Sequence, residues 1–348
     1  MNAFVVELSA LPLVILANVA VGKRWAGLAS ELLPGLVGGG VCLFGALDLA
    51  GAQLVGPAIV GVSRQGLDAA IIVTGFVAAV VAARPVRDRV ARAVPIDADN
   101  PVHALALSLA AILFGFNVAT VLFTDTLGSA SSLPPLSVGD LVLGESAFLI
   151  LAFVGVGVLI RREPPGAMSR LGLVWPRWWQ VSLALAAAGV FVVVAVLAQV
   201  AGQALTPELA RRIADSNEHT NQLLTGSLLG VIALGLAPGL CEDVLFRGAL
   251  QPRLGLLPTA IVFTSLHVQY SLSIDTLAIL VLAVALGFIR KYTNTTTSAT
   301  CHCAYNLLGG VSLGGATFVV ALVVETALIT ITAYAIWAER RRRSTEPS

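Results

Sequence analysis

The sequence predicts an all-α, integral membrane bundle, and three observations lead there. Of its 348 residues, 57% are hydrophobic and only 12% are charged, about half the roughly 25% charged share of soluble domains. Apolar runs long enough to cross roughly 30 Å of hydrocarbon recur along the whole chain. No polar block between them is long enough for a separate soluble domain, and the charges gather in the short intervals.

In order, the candidate spans are 3–21, 31–50, 66–83, 104–124, 141–160, 180–204, 226–251, 257–271, 274–289, 296–309 and 316–338, eleven in all. The first carries Glu7 early and meets Lys23 and Arg24 only beyond its end, the reverse of a secretory signal's basic start, so it reads as a retained helix. An odd number of spans puts the termini on opposite sides, and basic residues should gather on the cytoplasmic one. With the C-terminus inside, 17 of the 21 Lys and Arg residues fall in the cytoplasm, Arg64, Arg211 and Arg212 fall outside, and Arg247 stays within a span. The expected topology therefore has the N-terminus outside and the basic tail from Arg340 to Arg343 in the cytoplasm. The 19 Arg against 2 Lys, with abundant Ala, Val and Gly, suggest a prokaryotic plasma membrane.

Local signals refine this plan. Trp175, Trp178 and Trp179 precede the sixth span as an interfacial aromatic anchor. Thr206-Pro207-Glu208 is a helix start, so 206–225 is expected to be a surface helix. Pro252 and Pro258 bracket a turn near residue 255, because proline interrupts a helix or opens one. The span 296–309 is short and polar, which suits membrane depth only if other helices surround it or it borders a water-filled cavity. Cys42, Cys241, Cys301 and Cys303 sit in apolar segments and read as small buried hydrophobes rather than disulfide partners. No basic stripe of a nucleic-acid-binding face is present.

The chemistry is concentrated in three clusters, Cys241 to Arg247, Phe263 to His267 and His302 to Asn306, which hold proton-handling side chains inside apolar segments. Ionisable groups at membrane depth mark functional sites by default. Glu242 and His267 flank the 252–258 turn by about nine or ten residues each, which at 1.5 Å per residue puts both roughly 15 Å from it. His302 and Asn306 are four apart and share a helix face. A poorly hydrated carboxylate can act as general base on water with an imidazole beside it. A second imidazole and an amide can donate to a developing oxyanion. Glu242, His267, His302 and Asn306 suit those roles in that order.

These clusters resemble the EExxxR, FxxxH and HxxxN motifs of the CAAX protease and bacteriocin-processing family (CPBP, also ABI or type II CAAX prenyl endopeptidases). The chain has Glu242-Asp243-Val244-Leu245-Phe246-Arg247, then Phe263-Thr264-Ser265-Leu266-His267, then His302-Cys303-Ala304-Tyr305-Asn306. The resemblance covers about 226–338 and implies an intramembrane endopeptidase with an eight-helix-type core. Residues 1–165 would then be a five-helix N-terminal extension, 166–338 the catalytic domain and 339–348 the basic tail.

It also implies that Glu242 and His267 activate water, that His302 and Asn306 stabilise the oxyanion, and that the partner is a peptide or protein substrate at the lipid bilayer. Asp243 stands where the family usually has a second Glu, and with Arg247 and Phe263 it is expected to be structural, Asp243 pairing with Arg247 four residues on. Glu242, His267 and His302 could together chelate zinc, although no His-Glu-x-x-His motif supports a metal. From other classes, a non-catalytic scaffold or regulator would retain the fold, and a proton-coupled transporter would also use intramembrane Glu and His. The transporter would more naturally show two halves with paired broken helices. Gly310-Val311-Ser312-Leu313-Gly314 fits the Gly-x-Ser-x-Gly elbow, which requires a strand-to-helix turn and is read here as a glycine-rich loop. Glu7, Asp48, Glu145 and Glu325 read as buried or interfacial polar contacts.

Overall fold

The computed structural model describes residues 8–52, 54, 63–309 and 316–345, and among them no β-strand forms. Glu7 and the Gly310 to Gly314 loop lie outside the described residues. The long helices are α1 (Leu11–Ala20), α2 (Ala26–Leu47), α3 (Arg64–Ala82), α5 (Pro101–Phe123), α7 (Val138–Gly155), α9 (Trp178–Leu205), α10 (Pro207–Thr225), α11 (Leu228–Asp243), α13 (Leu256–Ser265), α14 (Ile274–Tyr292), α15 (Thr295–Gly309) and α16 (Ala316–Thr345). Short helices α4 (Arg84–Val90), α6 (Thr126–Ser132), α8 (Pro164–Leu171) and α12 (Gln251–Leu254) connect them. Each of the eleven expected spans overlaps a helix among the described residues, though not all of those helices are long enough to cross a membrane.

Seven helical stretches among the described residues are long and apolar enough to cross a membrane: 26–52, 64–82, 101–123, 138–155, 178–205, 228–254 and 319–339. The chain is an integral membrane protein. α1 and α13 are ten residues each, and α15, at 15 residues, is both short and rich in hydroxyls. The expected surface helix is α10, opened by Pro207.

Helix starts follow the sequence. Asn100 caps α5 by accepting from Val102 N at 3.0 Å, Ser137 caps α7 by accepting from Asp140 N at 3.1 Å, and Ser227 caps α11 by accepting from Gly230 N at 3.0 Å, each satisfying a backbone donor that the helix leaves open. Without a hydrophobic force between lipid-facing helices, close packing relies on small residues and buried polar links. Thus α2 and α3 meet at Gly38 and Gly75, where an added Cβ on Gly38 would lie 2.7 Å from Gly75 O. Arg87, almost wholly buried, ties α4 to α2 through Ser30 O at 3.1 Å and Glu31 at 3.0 Å. Asn18 joins α1 to α7 by donating to Val154 O at 2.9 Å.

The C-terminal half surrounds α15, which packs between α9 and α11, with α14 alongside. α7 packs on α11 and on the π-helical turn Val244–Leu250 that follows it. The fifth expected span is therefore part of the wall around the three clusters.

Candidate active site

The three clusters meet where α11, its π turn, α13 and α15 come together. Pro238 interrupts the hydrogen-bond ladder of α11 one turn before Glu242, and the helix widens to π geometry directly after Asp243. Such π segments are frequent at functional sites because they re-aim the side chains around them. Gly239 lets α15 approach closely: a Cβ there would lie 2.7 Å from Cys303 N and 2.9 Å from Cys303 Cα. This contact sets the crossing that puts α11 carboxylates against α15 side chains.

Glu242 and His302 face each other, with Oε2 and Nε2 3.9 Å apart and both residues buried. Glu242 Oε2 has no hydrogen-bond partner among the described residues. The other edge of the His302 ring is held by Asp243, whose Oδ1 lies 3.2 Å from Nδ1. The second oxygen of Asp243 accepts a short hydrogen bond from Ser298 Oγ. Asn306 lies one turn beyond His302 and is half-buried.

The expected pairing of Asp243 with Arg247 does not form: no ion pair joins them among the described residues. The short aspartate keeps its carboxylate near its own backbone, where Ser298 and His302 reach it across the helix crossing. Arg247 instead lies fully buried with its guanidinium carbon 4.5 Å from the centre of the Phe263 ring, a cation–π contact. None of its three side-chain nitrogens has a hydrogen-bond partner among the described residues, although Asp243 and Glu242 act on it electrostatically.

His267 was expected within a span running to residue 271, but α13 ends at Ser265 and a 3₁₀ turn follows from Val268 to Tyr270. The histidine therefore stands at the break, its Nδ1 3.3 Å from Phe263 O. A proton on Nδ1 donated to that carbonyl leaves Nε2 as an acceptor. Phe263 sits at the hub, with its ring centre 5.0 Å from His267, 5.9 Å from His302 and 5.3 Å from Phe246. Among the described residues, no hydrogen bond or ion pair joins His267 to Glu242. The imidazole nearest that carboxylate belongs to His302.

Two participants were not singled out from sequence. Ser298 lies four residues before His302 and so on the same face, a spacing that could have drawn attention to it. Glu145 of α7 lies within electrostatic reach of Glu242. As a lone acid in an apolar span, it looked like an ordinary polar contact. Among the described residues, no three His, Cys, Asp or Glu side chains are arranged to hold a metal ion, so the candidate zinc set of Glu242, His267 and His302 does not fit one.

Residues 224–308 match the family model described as Type II CAAX prenyl endopeptidase Rce1-like. Comparisons with curated proteins and with solved structures each gave no match. The matched segment spans all three motifs and supports the CPBP/CAAX protease family for this part of the chain.

Proposed function

We propose that the protein is an intramembrane endopeptidase that hydrolyses a peptide bond of a membrane-associated substrate with water activated by Glu242. The observation that carries this reading is the buried Glu242 Oε2, without a hydrogen-bond partner among the described residues and 3.9 Å from His302 Nε2. A polar separation of that length is one that a water can bridge. Glu242 takes the proton of the attacking water, and His267 Nε2 is a second acceptor in the same volume. Asp243 holds His302 by Nδ1 and so orients the ring, which with the Asn306 amide stabilises the oxyanion. The expected topology opens this volume towards the cytoplasm.

The test is cleavage of a peptide library by the full-length protein in lipid, comparing wild type with Glu242→Gln, His302→Ala and His267→Ala, each with and without a chelator. Products that disappear in Glu242→Gln and His302→Ala, with normal folding and no effect of the chelator, support the reading. Cleavage persisting in Glu242→Gln would remove the proposed base. No cleavage by any folded sample would favour a scaffold role.

A further inference from the structure

Four arginines from three segments surround Arg170 of α8: Arg161 and Arg162 after α7, Arg253 on α12 and Arg290 near the end of α14, whose guanidinium lies against Gly172 at the end of α8. Arg170 is within electrostatic reach of Arg253, Arg162, Arg290 and Arg161. Burial, reinforced by those neighbouring cations, brings its pKa down to about 10. Among the described residues, none of the five forms an ion pair, not even with the exposed Glu163 beside Arg162. Their protein partners are neutral oxygens: Arg161 donates to Asn18 Oδ1 at 2.9 Å, Arg162 to Val156 O, and Arg170 to Gly248 O at 3.2 Å. The Nε atoms of Arg253 and Arg290 are buried without any hydrogen-bond partner among the described residues.

Partly buried guanidiniums within electrostatic reach repel one another, and an anion with several oxygens relieves that repulsion with charge-assisted bonds. These segments and the stretches of chain that follow them expose large apolar side chains, including Met168 at 46% on α8, Trp175 at 98% after it and Leu257 at 60% just beyond α12. A phosphate joined to acyl chains meets both features at once, the headgroup among the guanidiniums and the chains along the apolar flank. We infer that this arginine cluster is a binding site for the phosphate of an anionic phospholipid, with Arg253 and Arg290 as its principal donors.

The site lies on a strap joining two parts of the candidate active site. Arg170 bonds the carbonyl of Gly248, which immediately follows Arg247 in the π turn. Leu171 O accepts from Thr295 Oγ1 at 2.6 Å and Gly172 O from Thr295 N at 3.1 Å, at the start of the helix that carries His302. A bound headgroup therefore steadies the π turn and α15 together.

The test uses full-length protein in a neutral maltoside detergent, titrated with phosphatidylglycerol, with phosphatidylcholine of the same chains and with inorganic phosphate. Affinity and melting temperature are read for wild type, for Arg253→Gln/Arg290→Gln, and for Arg89→Gln, an exposed arginine outside the cluster. The expected result is at least tenfold tighter binding of phosphatidylglycerol than of phosphatidylcholine. The double variant should lose at least tenfold of that affinity, while Arg89→Gln keeps it. Equal binding of the two lipids by wild type overturns the inference, and this comparison stands even if the double variant does not fold. Undiminished phosphatidylglycerol binding in a folded double variant also overturns it. So does inorganic phosphate competing at the lipid's own concentration, which would show a free-anion site.

Discussion

Gly239→Ala is a one-carbon change whose effect can be worked out from the crossing of α11 and α15. The added Cβ would lie 2.7 Å from Cys303 N and Sγ and 2.9 Å from Cys303 Cα, where ordinary contact begins near 3.4 Å. Two of these atoms are backbone and cannot rotate away, so the helices must part by about 0.7 Å at that point. Overpacking of this kind costs about 1–3 kcal/mol. Asp243 is one turn further along α11, and its bond to His302 at 3.2 Å has little slack. Catalytic groups need placement within roughly 0.5 Å, and a misplacement near 1 Å can cost about a hundredfold. Gly239→Ala should therefore lower kcat/KM about ten- to a hundredfold on a peptide identified as above, while melting in detergent falls by only a few degrees. Gly235→Ala is the internal control, because its Cβ would meet only the movable end of the Leu307 side chain, with Leu307 N at 3.4 Å. Equal activity in wild type and Gly239→Ala, or a larger loss in Gly235→Ala, would refute the claim that this close approach sets the site's geometry.

Asp243→Ala removes the anchor of His302 and should lower kcat/KM about ten- to a hundredfold, since a hydrogen bond to a charged group is worth about 1.5–3 kcal/mol. Asp243→Asn keeps an acceptor for Nδ1 and should lose less, and equal losses would argue against an orienting role. Arg247→Ala removes the buried cation–π contact with Phe263 and should destabilise the fold by about 2 kcal/mol; an unchanged thermal melt would show that the guanidinium is dispensable. Asp125, which caps α6 by accepting from Gly128 N at 3.1 Å and pairs with Arg212 of α10 at 2.6 Å, has its pKa held below the usual carboxylate value, chiefly by the Gly128 N–H. Its contribution is thus present above the unfolded value, near 3.9, and is lost as pH falls through the lower folded value. Melting curves from pH 5 to pH 2 should converge for wild type and Asp125→Asn, and a constant gap would contradict the assignment.

The positions of the helices were legible in the sequence because hydropathy and helix-start signals are local. Apolar runs became helices, Ser227 and Asn100 capped as their type suggests, and Gly255, with φ of 83°, made the turn that Pro252 and Pro258 bracket. The three motifs were legible too, since acids and imidazoles inside apolar segments stand out from their surroundings. Tertiary structure decided which of these groups touch. A spacing of four suggested that Asp243 would pair with Arg247, yet its carboxylate meets Ser298 and His302, because a helix crossing at Gly239 brings side chains 55 and 59 residues away nearer than one turn along its own helix. The same packing brought α7, with Glu145, to the wall of the site and gathered five arginines from four segments. Sequence spacing describes neighbours on one helix, whereas contacts between helices depend on where their backbones cross.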